Sequence, residues 1–123
     1  MKYQTLQEYA NQEIADRLRI IEELGDDDGA FVDADLKAKI FSRNVDETVE
    51  FFSHATKQEL NFLIDSLPQV VEILPYDQAE RIFNVFKAKL VEYPDLEDFP
   101  YYSYQEMLDE AEYVLELKLK KQD

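Results

Sequence analysis

Residues 44–74 read NVDETVEFFSHATKQELNFLIDSLPQVVEIL, and the fold turns on this stretch. Asn44 precedes Glu47 by three residues, and Thr56 precedes Glu59 by three. Each pair fits a capping box, in which a short polar side chain accepts from an orphan helix N–H and the Glu reaches back to a second one. Behind the first signal come Val45, Val49 and Phe52. Behind the second come Leu60, Leu63, Ile64, Leu67 and Val71. Spacings of three and four bring these groups to one face of a helix. The stretch therefore predicts two helices in tandem that form the core. Pro68 lies inside the second pattern, where it withholds a backbone donor and crowds the preceding turn, so a kink or break is expected there.

The same reasoning extends outward. Thr5 with Glu8 starts a helix over 6–24, with Leu6, Tyr9, Ala10, Ile14, Leu18, Ile21 and Leu24 inward and Gly25 as its C′ residue. A short helix over about 33–42 carries Leu36, Ile40 and Phe41. Downstream, Pro75 interrupts the chain and Asp77 with Glu80 reads as another capping box. Ala79, Ile82, Phe83, Phe86 and Leu90 then form a buried stripe that Pro94 ends. Residues 94–102, PDLEDFPYY, have no periodicity and read as the longest loop. Ser103 with Glu106 starts the last helix, with Met107, Leu108, Ala111, Val114, Leu115 and Leu119 inward and Lys118, Lys120 and Lys121 near its C-terminus, where cations suit the helix dipole. The expected fold is all-α: a single domain over residues 1–123, with five to six helices in an irregular antiparallel bundle or short helical array.

Composition narrows the chemistry. The 123 residues include no Cys, which removes disulfides and thiolate metal sites and suits a reducing cytoplasm. Two Gly and four Pro do not suit a turn-rich β fold. No signal-peptide core is visible in the first residues, and no run is long enough to span a bilayer. A formal charge of −15 repels nucleic acid and anionic membrane and steers basic partners inward. At 46% hydrophobic content the chain is too apolar for a disordered acidic tail.

Two constellations invite a metal and fail. With Gly29 as the sixth position of a calcium loop, Asp26, Asp28 and Asp35 fall third, fifth and twelfth, but the first position is Leu24, which cannot ligate. His54 is the only histidine; Glu50 stands four residues before it, and neither a di-iron nor a zincin pattern is present. No glycine-rich phosphate loop exists, and with 28 acids chance carboxylate pairs abound. No cofactor, no metal and no catalytic activity are expected.

Charge distribution is more specific. From Leu90 to Leu117 there is no Lys or Arg, while the window holds nine acids and Tyr93, Tyr101, Tyr102, Tyr104 and Tyr113. A second cation-free window, Ile20 to Leu36, contains Asp26, Asp27 and Asp28. Carboxylates can meet Arg and Lys of a partner, and tyrosines add rigid contact area with a hydroxyl. Candidate partner-binding residues are Asp95, Glu97, Asp98, Phe99, Tyr101, Tyr102, Tyr104, Asp109 and Glu112, with Asp26, Asp27 and Asp28 as a second patch.

The 44–74 stretch, the following helix ending KLVEYP and the closing EMLDEAEYVLE together resemble small helical immunity proteins of bacterial polymorphic toxin systems, including contact-dependent growth inhibition. The resemblance covers roughly residues 40–116 and lies in pattern; Pro68 departs from it, since an uninterrupted helix is expected there. It implies a protein that binds a cognate toxin domain, often a basic nuclease, inside the cell and blocks its active site; the expectation for this chain is a cytoplasmic monomer or weak dimer that covers the basic cleft of an RNase-like nuclease. Interfaces in that family vary with each toxin, so no contact residue carries over. The rival readings are a phage-type acidic mimic of nucleic acid that inhibits a defence nuclease, a small helical adaptor or regulator, and an acid-rich hydrolase. A toxin gene beside this one favours the first reading, and a phage operon the second.

Overall fold

A computed structural model describes residues 5–24, 34–98 and 104–122. Seven α-helices follow in order: α1 (Leu6–Leu24), α2 (Ala34–Ser42), α3 (Val45–Ser53), α4 (Lys57–Leu63), α5 (Leu67–Ile73), α6 (Tyr76–Glu92) and α7 (Tyr104–Gln122). A 3₁₀ turn over Ile64–Ser66 joins α4 to α5, so these two form one broken rod and the described residues make six helical runs. A second 3₁₀ segment, Pro94–Asp98, occupies the start of the stretch read as an aperiodic loop. Among the described residues there is no strand, and no helix is long and apolar enough to cross a membrane.

The caps at 44 and 56 explain where α3 and α4 begin. Asn44 accepts from the Glu47 N–H at 3.1 Å, but the Glu47 carboxylate turns to Arg43 instead of closing the box. Thr56 and Glu59 close theirs on both sides, at 3.1 and 2.9 Å. Thr5 likewise accepts from the Glu8 N–H. The capping box read at Asp77 and Glu80 is corrected: α6 begins two residues earlier, with Pro75 as its N-cap and no side-chain cap bond. Asp77 is thus already inside the helix, and Glu80 accepts from the Tyr76 hydroxyl at 2.9 Å.

Pro68 breaks the rod in a definite way. In a continuous helix the residue 68 N–H would bond the Ile64 carbonyl, and proline has none to give. The Leu67 N–H takes that carbonyl instead, closing a tighter 3₁₀ turn. Pro68 then sits in the first turn of α5, where a missing donor costs nothing.

The core matches the apolar periods. Phe52, Leu60, Leu63, Ile64, Leu67, Ile82, Phe83 and Phe86 are all buried. The central rod packs on both sides, with α5 against α2, α6 and α7, while α3 packs on α6. Aromatic rings run through the interior from Tyr9 to Phe41, Phe52, Phe86 and Tyr104, with successive centroids 5.6, 5.1, 4.4 and 6.3 Å apart. Two residues assigned inward lie at the edge of their stripes: Leu18 is 38% and Leu119 45% exposed. Gly25, Asp33 and Ser103 lie outside the described residues, as do the side chains of Ile21, Leu24 and Leu36.

Candidate functional site

Three charged features emerge. The first is buried. Arg17 and Lys37 are 2% and 0% exposed, and they share two carboxylates. Asp65, carried by the 3₁₀ turn, takes Arg17 on Oδ2 at 2.7 Å and Lys37 on Oδ1 at 2.9 Å. Glu13 takes the Arg17 Nε at 2.9 Å and lies 3.3 Å from the Lys37 ammonium. Burial pulls the Lys37 ammonium below its usual pKa against the pull of Asp65, with Arg17 adding to the decrease. The cluster is two cations and two anions, neutral as a unit, and it pins α1 and α2 to the break before Pro68. Sequence reading missed it, although the signal was present: Glu13 and Arg17 are spaced i, i+4 along the stripe that also holds Tyr9, Ala10 and Ile14.

The second feature is the 92–98 segment. Cation-free in sequence, it is not so in space. Lys57, from the first turn of α4, donates to Asp95 at 2.6 Å and stands 5.5 Å from the Tyr93 ring, as does Lys89. Lys89 also donates to Glu92 at 3.1 Å. These bonds hold both carboxyls below their usual range, Glu92 through Lys89 and Asp95 through Lys57. Glu97 and Asp98 have 3₁₀ backbone, and their side chains lie outside the described residues, as do Phe99, Tyr101, Tyr102, Asp26, Asp27 and Asp28.

The third feature is α7. Tyr104, Leu108, Ala111 and Leu115 form its buried stripe. Tyr104 therefore leaves the list of surface candidates: it is 0% exposed, and its hydroxyl donates to the Phe86 carbonyl at 2.9 Å. Its place at i−4 and i−7 from Leu108 and Ala111 would have shown this. Asp109 and Glu112 are exposed, as are Glu106, Glu110 and Glu116. Opposite the buried stripe stands Tyr113, 60% exposed. Asp109, Glu110 and Glu116 are its i−4, i−3 and i+3 neighbours, so the ring rises from a ring of carboxylates.

His54 sits at the C-terminal end of α3, with its Nε2 3.2 Å from Glu50 and both side chains 76% exposed. Among the described residues no group of three His, Asp or Glu side chains is close enough to hold a metal ion. The incomplete calcium pattern over residues 24–35 falls outside that description except for the backbone of its ends. Comparison of the chain with protein-family models, with curated proteins and with solved structures finds no match.

Proposed function

We propose that this chain is a non-catalytic immunity protein whose α7 face caps the basic cleft of a nuclease toxin. The supporting observation is the acidic face around Tyr113. Five carboxylates lie between Glu106 and Glu116, a span of roughly 15 Å at about 1.5 Å per residue. Successive charges are therefore roughly 4 Å apart along the axis, near the spacing of about 3.4 Å along one nucleic-acid strand. A cleft that binds a phosphate backbone meets a similar row of charge on this helix. The arrangement also works against the helix. Glu106–Asp109, Glu106–Glu110, Asp109–Glu112 and Glu112–Glu116 are like-charge pairs at i, i+3 or i, i+4, each costing about 0.2–0.5 kcal/mol. A face selected only for solubility would interleave lysines. Steering by the net charge speeds encounter, and Tyr113 supplies the rigid contact that slows release. Inhibition is steric and electrostatic, with substrate phosphates excluded from the cleft.

The test is capture by the immobilised chain from its source cells, identification of the retained protein by mass spectrometry, and a nuclease assay of that protein. The expected result is a basic nuclease, inhibited by the wild-type chain and released as salt rises. Joint substitution of Asp109→Lys, Glu110→Lys and Glu116→Lys should abolish inhibition while the melting temperature stays level or rises. A retained protein without nuclease activity, or full inhibition by the triple variant, refutes the proposal.

A further inference from the structure

We infer that the groove between α1 and the first turn of α4 is a binding site for an alkyl guanidinium, with Glu59 as the anion that receives it. This site is separate from the α7 face and does not depend on the function proposed above. The groove encloses about 530 Å³, and its walls include Gln7, Ile14, Leu18, His54, Gln58 and Glu59.

Glu59 is 8% exposed. Its Oε1 accepts from the Thr56 N–H at 2.9 Å and its Oε2 from the Gln7 side-chain amide at 2.7 Å. Both donors are neutral, and among the described residues no Lys or Arg is paired with it. A carboxylate offers about four acceptor positions, so one remains on each oxygen. An acceptor position left on each of two adjacent oxygens is what the fork of a guanidinium, which donates two N–H bonds side by side, requires. An ammonium offers a point charge without that fit. Burial of a charge without a counter-ion is costly, and a bound cation relieves that cost.

The capping box gives Glu59 a structural role through Oε1, but leaves the rest of the groove unexplained. Leu18 falls outside the core stripe of α1, 38% exposed at the groove wall, and Ile14 lies beside it. Together they offer an apolar track for a three-methylene stem, the way arginine stems lie on apolar surface. The side-chain amides of Gln7 and Gln58 add acceptors for the remaining N–H groups.

The ligand can be an arginine side chain of another protein or a small free guanidinium compound, and the probes distinguish them. N-acetylargininamide, free arginine and the neutral isostere N-acetylcitrullinamide are titrated against the full chain, with amide chemical shifts as the readout. The expected result is saturable shifts around Ala15, Leu18 and Glu59 with the arginine compounds and none with citrulline. Tighter binding of the blocked amide assigns a protein side chain; tighter binding of free arginine assigns a small molecule. Glu59→Gln should weaken binding at least about tenfold, since the bidentate charged pair is lost. It should fold, because its amide oxygen can still accept from Thr56 and Gln7 can turn its own amide to match. Leu18→Ser, at an exposed site, should weaken binding about fivefold by removing the apolar track. No saturable shift with either arginine compound, equal binding of citrulline, or wild-type affinity in both variants overturns the inference.

Discussion

At the scale of single residues, the buried quartet and Tyr104 make sharp claims. Asp65→Ala leaves Arg17 and Lys37 buried with Glu13 alone between them, and should cost about 3–5 kcal/mol in a urea titration. Lys37→Met should cost much less, because the carboxylates it leaves are partly solvated and Arg17 remains. The same variant tests the pH dependence. Folded Lys37 sheds its proton more readily than unfolded lysine, whose pKa is about 10.4. In the window below that value the unfolded chain therefore holds more protons, and wild-type stability should rise with pH. Lys37→Met should flatten that rise. Tyr104 has the opposite sign: burial raises its phenol pKa above the usual value. Its contribution is complete below about pH 10 and declines above it, as the unfolded phenol ionises first. Tyr104→Phe should cost about 0.5–1.5 kcal/mol at neutral pH and remove its share of the alkaline loss. Equal alkaline slopes for wild type and Tyr104→Phe would show that the hydroxyl is not buried.

Among the elements, start signals and breaks are tested by paired substitutions. Thr56→Ala removes a cap whose two halves are both made, so about 1 kcal/mol of stability should go with it. Asp77→Ala, at a site that read equally well as a cap, should cost only a few tenths through the helix dipole, since Pro75 starts α6. Comparison of their denaturant midpoints checks both assignments at once. The difference between the two sites is one of chain direction: Pro75 is already extended (φ −56°, ψ 154°), which lets α6 begin ahead of Asp77.

For the molecule as a whole, −15 is a burden carried unevenly. Local cations offset it at Glu92 and Asp95, whereas the sequence of α7 places five acids ahead of its first lysine, at residue 118. Asp109→Lys turns two repulsive helix pairs into two attractive ones and gives up an exposed bond from Gln105. It should raise stability by about 0.5–1 kcal/mol at low salt, an advantage that fades at about 0.5 M salt as screening sets in. Thermal melts at the two salt concentrations decide it. A variant that melts earlier at low salt would mean that the acidic face does not repel itself.

The sequence by itself determined the helices, their order and most of the core. Caps, proline breaks and the stripe over Leu60–Val71 act between residues three or four apart, so their physics is complete within a short window. It also marked out the acidic composition of α7, although Tyr104 stands among the surface candidates where helical spacing places it inward and Tyr113 outward. Only the tertiary structure decided which charges are solvated and which are neutralised. Lys57 reaches Asp95 across 38 positions, and Arg17 reaches Asp65 across 48. Pairing at such separations depends on how helices cross, and a side chain's burial depends on what the rest of the chain lays over it. Local pattern does not encode either quantity, so the 92–98 segment read as cation-free, and the place of Glu13 and Arg17 on an apolar stripe pointed to burial without naming Asp65 or Lys37 as their partners.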